Sequence, residues 1–229
     1  GLVGSEMCIR DSLTGGKAIF EDLGIKLDQL TLDDLGTPLS EVTFCVVDVE
    51  TTGLLPSDCK ITEIGATLFK GGESLGIFQT MVNPGCPIPT SITVLTGITE
   101  SMVIGTPTIQ EVLPSFDEFI GNAVLVGHNV RFDLRFLRAA ALASNRAYLR
   151  NRYFDTCALA RRLLHNEVPD CRLETLAQYL RLDHRPRHRA LDDALATADL
   201  LHLLSGRAGT LGVTSLEDFL ELPTMVGHP

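Results

Sequence analysis

No two of the six cysteines (Cys8, Cys45, Cys59, Cys86, Cys157 and Cys171) form a CxxC pair. Their scatter excludes a zinc knuckle and gives no disulfide framework, so reduced thiols in a cytoplasmic setting are the expectation. The chain has no apolar run of about 18 residues, and nothing in it reads as a membrane span. The N-terminal stretch lacks the basic, apolar and small-residue layout of a signal peptide. Lysine is missing from residues 129–190, where 13 arginines face 6 acidic residues, a formal +7. The rest of the chain carries 6 basic and 23 acidic residues, or −17, so the net charge of −10 hides a cationic segment beside an acidic one. Such a division is compatible with one phosphate-binding face. A solvated helix surface would use the same arginines.

What is present fits a soluble globular chain: 229 residues, 45% hydrophobic and 21% charged, enough for one well-buried domain with flanks. The stretch Leu2-Val3-Gly4-Ser5-Glu6-Met7-Cys8-Ile9-Arg10-Asp11-Ser12 resembles the translation of a transposon adapter used in sequencing libraries. Residues 1–12 are therefore expected to be adapter-derived and to stand outside the fold. Residues 13–40 are acidic, with Gly15-Gly16 and Gly36-Thr37-Pro38, and read as a linker or N-terminal extension. The domain is expected over 41–206, and 207–229 as a truncated C-terminal tail.

Within the domain, Val42 to Val49 is apolar at both alternating sets of positions, as a central strand requires. Ile61–Lys70 and Leu75–Val82 read as strands joined by a hairpin turn at Gly71-Gly72. Pro84, Pro87 and Pro89 mark a loop. Thr108 opens a helix over Ile109–Ile120 with apolar Val112, Leu113, Phe116 and Phe119. Ala123–Val126 reads as a short buried strand. Phe132–Ala143, Thr156–Leu164, Leu173–Leu180 and Leu191–Leu204 have helical period. Strands first, then strands mixed with helices, predict an α/β fold with a mixed central β-sheet flanked by α-helices.

Three short signatures carry acids into this framework. Asp48 and Glu50 lie two apart in Val47-Asp48-Val49-Glu50-Thr51-Thr52-Gly53, so on a strand both project to one face. Two acids there are costly beside a core unless a cation compensates them, and Gly53 lets the chain turn sharply afterwards. Asp133 closes His128-Asn129-Val130-Arg131-Phe132-Asp133, which follows the 123–126 strand. Asn129 suits a helix cap there. His188 lies after Arg185-Pro186-Arg187, on the lead-in to a helix beginning near Ala190. The acids Asp192 and Asp193 fall in that helix's first turn, and periodicity does not choose between them.

Four carboxylates and one histidine without a cysteine cluster select hard cations, Mg²⁺ or Mn²⁺, over zinc. Two such ions can activate a water and stabilise the leaving 3′ oxygen in hydrolysis of a phosphodiester. Asp48, the most deeply placed strand acid, is the expected bridging ligand, and His188 is suited to act as general base.

The signatures D-x-E-T-T-G, H-N-x-x-F-D and H-x-A-x-x-D, spread from about Thr43 to Leu204, resemble those of DEDD-type 3′–5′ exonucleases of the histidine subclass. This is the family of the proofreading epsilon subunit of bacterial DNA polymerase III. The resemblance implies an RNase H-like fold and selects Asp193 over Asp192, because Ala190 fixes the register. It implies Asp48, Glu50, Asp133 and Asp193 as ligands of two Mg²⁺ or Mn²⁺ ions, with His188 completing the catalytic set. It implies substrate contacts from Leu95 and Thr96, in Leu95-Thr96-Gly97-Ile98-Thr99, and from Thr51, His128, Asn129 and Phe132 around the terminal nucleotide. The implied partners are nucleic acid, single-stranded DNA 3′ ends foremost, and a polymerase or repair complex; no membrane is implied. RNA or short oligonucleotides are the alternative substrate, and a non-catalytic subunit the alternative role. More loosely, the chain resembles actinobacterial-type proteins in which this domain precedes a UvrC-like GIY-YIG nuclease module, which is not present here.

Overall fold

The computed structural model describes residues 36–146, 149–164 and 166–222. The expected adapter segment, the linker up to residue 35 and the tail from residue 223 lie outside the described residues. Three antiparallel strands come first: β1 (Thr43–Thr51), β2 (Ile61–Lys70) and β3 (Glu73–Met81). Gly71 and Gly72 join β2 to β3 with φ of 58° and 86°, the doubly positive turn that matches strand twist and needs glycine. Two short helices follow, α1 (Thr90–Thr96) and α2 (Glu100–Val103), then α3 (Ile109–Ile120). Thr108 and Glu111 cap α3 reciprocally, each side chain bonding toward the other's backbone, which satisfies donors left open at a helix start. The chain continues through β4 (Val124–Gly127), α4 (Arg131–Ala143), β5 (Tyr153–Asp155), α5 (Thr156–Leu164) and α6 (Leu173–Tyr179). It ends in α7 (Ala190–Thr210) and α8 (Leu216–Glu221).

The sheet order is β3-β2-β1-β4-β5. β1 pairs antiparallel with β2 and parallel with β4, and β4 pairs parallel with β5. The mixed sheet flanked by helices is the architecture expected from the sequence. Alternation along β1 sorts its side chains between two cores. Phe44 and Val46 join Val124, Val126 and Phe154 beneath α5, α6, α7 and α8. Cys45, Val47 and Val49 join Leu125 against α3 and α4, through Val112, Phe116, Leu134 and Leu137.

Several elements differ from expectation. α1, α2, β5 and α8 carry no long period in the sequence, and α7 runs six residues past Leu204. Residues 207–222, read as part of a tail, instead pack on the body: Leu216, Phe219 and Leu222 are buried in the core under α7, and Ser215 bridges to Pro38. Phe219 stacks on Phe154 with ring centroids 4.6 Å apart. Among the described residues five cysteines are free thiols, and no helix is long and apolar enough to cross a membrane.

Candidate active site

The parallel strands β1, β4 and β5 end on one edge of the sheet, the position where open α/β sheets place their sites. On β1 the face that carries Phe44 and Val46 into the core carries Asp48 and Glu50 next, both half-buried. The pairing of β1 with β4 stops at Val46↔Val126. Beyond it the two strands part, and Val49 is left with an unpaired N–H on that side. Asp133, buried in the first turn of α4, fills the gap: its Oδ1 accepts from Val49 N at 3.1 Å.

Asp193 reaches the cluster because α7 comes unusually close to the sheet. Gly65 on β2 stands opposite Asp48 in register. A Cβ there would lie 2.2 Å from Leu191 N and 2.3 Å from Ala190 C, so only glycine admits the helix start. A second anchor holds the lead-in loop. Glu63, fully buried on β2 and opposite Glu50, accepts from Arg189 Nε and Nη2, both at 2.9 Å, and from Ala190 N at 3.1 Å. Gln79 Nε2 donates to the same carboxylate at 3.2 Å. A bidentate guanidinium–carboxylate pair fixes orientation as well as distance. Asp193 Oδ1 accepts from Arg187 N at 2.8 Å. His188, between these fixed points, is held at φ 54°, a left-handed conformation that costs roughly 1–2 kcal/mol and persists where the surroundings over-determine it.

His188, Glu50 and Asp193 each offer one ligand atom within 4.8 Å of the others. His188 is partly exposed, with Nε2 3.7 Å from Glu174 Oε1. Burial acts on all four acids, and crowding by other acids on Asp48, Glu50 and Asp133. Burial, and then Asp133, Asp193 and Glu50, hold the Asp48 carboxyl well above the usual range. Burial and Asp193 push Glu50 up to about 7. Burial pushes Asp133 up to about 8, against the hydrogen bond from Val49, and burial likewise raises Asp193. Glu63 goes the opposite way: its bonds to Arg189 and Ala190 outweigh burial and hold it below the usual range. One buried acid is thus neutralised by arginine, and four are left for another cation. Oxygen ligands of this kind fit a hard divalent ion.

The remaining sequence-derived residues fall into two groups. Thr51, His128, Asn129 and Phe132 stand where β1 and β4 end. Thr51 Oγ1 donates to Gly53 O at 2.6 Å. Both ring nitrogens of His128 are engaged, Nδ1 with Thr156 Oγ1 at 2.9 Å and Nε2 with Cys171 O at 2.7 Å, so this ring ties β4 to two later segments. Asn129 does not cap α4; Val130 holds that position without a side-chain bond. Asn129 instead turns the chain at φ 73°, and its N–H donates to Asp155 Oδ1 at 3.1 Å. Phe132 packs at 5.1 Å from Phe136 beneath the Arg135 guanidinium. Leu95 and Thr96 lie at the end of α1. Leu95 is exposed, whereas Thr96 is buried and bonds Ile92 O and Ile98 N. No hydrogen bond or ion pair among the described residues joins these two to the acids.

Sequence reasoning missed Glu63, Gly65, Gln79 and Arg189. A signal existed for Glu63, an acid inside the apolar strand Ile61-Thr62-Glu63-Ile64-Gly65-Ala66: a charge so placed needs a partner. Leu54 and Leu55 were missed too. They are 74% and 54% exposed, four and five residues beyond Glu50 in the chain.

Comparison with known proteins bears on this geometry. A family model described as exonuclease (RNase T) matches residues 45–201. A Mycobacterium tuberculosis protein described as a bifunctional exonuclease/endonuclease is 50% identical over 76% of the chain and 28% of its own length. A PolC-type DNA polymerase III of Clostridium perfringens is 43% identical over 74% of the chain and 12% of its own length. The chain thus spans less than a third of the length of these curated relatives. Among solved structures, exonuclease X in complex with 5′ overhanging duplex DNA superposes with a TM-score of 0.62 at 28% identity, covering 79% of this chain and 99% of that one. Escherichia coli exonuclease I with a dT13 oligonucleotide gives 0.67 at 20% identity, covering 75% and 43%. That likeness speaks for the fold, the RNase H-like sheet and helices expected above.

Proposed function

The chain belongs to this exonuclease family, a nuclease hydrolase by descent, and from that premise we propose that it removes nucleoside 5′-monophosphates from the 3′ end of DNA. The observation that carries the reading is the convergence of Asp48, Glu50, Asp133 and Asp193 at the end of β1, with His188 beside two of them. Their charges are unmatched by any described basic side chain of the kind that neutralises Glu63. Nucleases of this kind depend on metal, and these acids would hold two Mg²⁺ or Mn²⁺ ions, which when bound supply Lewis-acid stabilisation of the phosphate's developing charge.

The chain's own residues supply the rest. His188, fixed by its neighbours yet open to solvent, takes the proton from the attacking water. The water oxygen bonds to phosphorus, the bond to the 3′ oxygen breaks and that oxygen takes up a proton from solvent, and the products are a shortened strand with a 3′-hydroxyl and a nucleoside 5′-monophosphate. Leu54, Leu55, Leu95 and Phe132 offer apolar surface against bases, and Thr51, His128 and Asn129 shape the end of the cleft. A place in replication proofreading or repair is part of the same proposal; the PolC-type DNA polymerase III relatives support the polymerase side of it.

The test is hydrolysis of single-stranded DNA labelled at one end, with Mg²⁺ or Mn²⁺. A 5′ label should pass through a ladder of shortening fragments while a 3′ label appears at once as mononucleotide. Asp48→Asn should cost several orders of magnitude in kcat. Loss of the 5′ label first, or turnover indifferent to that substitution, overturns the reading. A matched RNA oligomer should be cut more slowly; equal or faster cutting would move the substrate to RNA.

A further inference from the structure

The arginines of residues 129–190 are divided by their partners. Arg146 pairs with Asp117, Arg152 with Glu217 and Arg189 with Glu63. Arg161 and Arg172 have no carboxylate within ion-pairing distance among the described residues, and both are exposed. They meet in one place. A cavity of about 640 Å³ lies beyond the ends of β4 and β5, walled by Cys157 and Arg161 of α5 on one side and by the segment from Val168 to Arg172 on the other. His128 floors it. The bonds of His128 to Thr156 and to Cys171 O fasten the two walls together, so the cavity is built rather than left between loose loops.

Among the described residues the lining contains a single acid, Asp170. Its carboxylate accepts from Arg172 N at 2.9 Å, so its charge is turned toward the start of α6. His128 and Asn129, five and four residues before Asp133 in the chain, line the cavity, and Asn129 N donates to Asp155 Oδ1. A pocket with two guanidinium groups outside any ion pair, lined in part by the segment that carries Asp133, is suited to a polyanion.

Resting on the exonuclease reading, we propose that this cavity is a phosphate subsite. Arg161 and Arg172 hold a backbone phosphate of the strand, one or more nucleotides away from the scissile bond. The subsite would offset the repulsion between the acids and the incoming strand and keep the shortened product in place for the next turnover.

The experiment compares the wild type with the double variant R161Q/R172Q. Both positions are exposed; Arg161 lies within α5, where glutamine suits a helix, and Arg172 precedes α6 with no side-chain cap bond to lose, so folding should be retained. Binding of a fluorescent single-stranded oligodeoxynucleotide is read by anisotropy in Ca²⁺ over a series of salt concentrations. Hydrolysis of the p-nitrophenyl ester of thymidine 5′-monophosphate, which has no upstream strand, is read separately in Mn²⁺. The proposal expects oligonucleotide binding about tenfold weaker, with the slope of log K against log salt shallower by about 1.4, two contacts at ~0.7 each. Ester hydrolysis should be unchanged. Unchanged affinity and slope overturn the proposal. So does a loss of ester hydrolysis with binding intact, which would move the arginines to the catalytic centre. If inorganic phosphate raises the wild type's melting temperature but not the variant's, while oligonucleotide binding is equal, the pocket takes free phosphate and the strand assignment fails. A wild type that binds the strand but cuts nothing would sink the exonuclease reading and leave the subsite standing.

Discussion

Asp133 shows what the cleft does to a single residue. It is buried, accepts one hydrogen bond from Val49, and still lies near 8 because burial outweighs that bond. In the unfolded chain an aspartate loses its proton near 4. Between those values the folded state holds a proton that the unfolded state lacks, so stability falls as pH rises through the window and is level above it. Asp133→Asn cannot lose that proton, and its amide oxygen can still accept from Val49. With chelator present, the melting temperature of Asp133→Asn minus that of wild type should therefore grow between about pH 5 and about pH 8. In a domain of this size each kcal/mol moves the midpoint by ~2–4 °C. A difference that is flat or shrinks over that range would mean the carboxyl ionises at an ordinary pH. His128 is the residue-scale counterpart. It was read as a pocket-lining side chain from its place in the motif, and the structure gives both of its nitrogens to protein partners. A motif names a side chain, but its hydrogen bonds depend on segments 28 and 43 positions away.

At the scale of elements, the sheet's inner strands and the longer helices were legible because each repeats an apolar pattern long enough to bury. β1, with apolar residues at every position from Phe44 to Val47, is the clearest case. β5 has three residues, α2 four and α8 six, too few to show a period, and each is held by packing that only the folded chain supplies. The four acids were legible as motifs. The device that gathers them was not, since Glu63 and Arg189 are 126 positions apart. Gly65 is its simplest part. Nothing about a glycine in a β-rich segment announces that a helix start will rest on it. Gly65→Ala would drive a methyl against Leu191 N and Ala190 C, backbone atoms that no rotamer change can move away. The start of α7 must then lift from β2, carrying His188 and Asp193 with it. A misplacement of about 1 Å can cost roughly a hundredfold in rate, and overpacking costs ~1–3 kcal/mol. Steady-state kinetics should show kcat reduced on that scale. Gly76→Ala on β3, where the added methyl would meet only Phe119 at 3.4 Å, should leave kcat near wild type. Equal behaviour of the two variants would mean that the close approach is not what sets the geometry.

At the scale of the whole molecule, the acidic cleft is a source of instability that a bound cation can reverse. Burial raises Asp48, Glu50, Asp133 and Asp193, and repulsion from neighbouring acids adds to it at the first three. With no cation Glu50 and Asp133 keep protons toward neutral pH, and removing them weakens the fold. A divalent ion that binds the folded cleft and not the unfolded chain stabilises by RT ln(1 + [L]/Kd). To bind, it must displace those protons, so its affinity rises with pH and its binding releases acid. Magnesium should thus raise the melting temperature little near pH 5.5 and substantially near pH 8.5, the increment growing through the window set by values of about 7 and about 8 for Glu50 and Asp133. Calorimetric titration near neutrality, repeated in buffers of different ionisation enthalpy, should show protons released on binding. Asp48→Asn should lose most of both effects, because the acid at the centre of the cluster is gone. A magnesium increment equal at the two pH values, or one preserved in Asp48→Asn, would place the cation outside the four carboxylates and remove the physical basis for reading them as one catalytic centre.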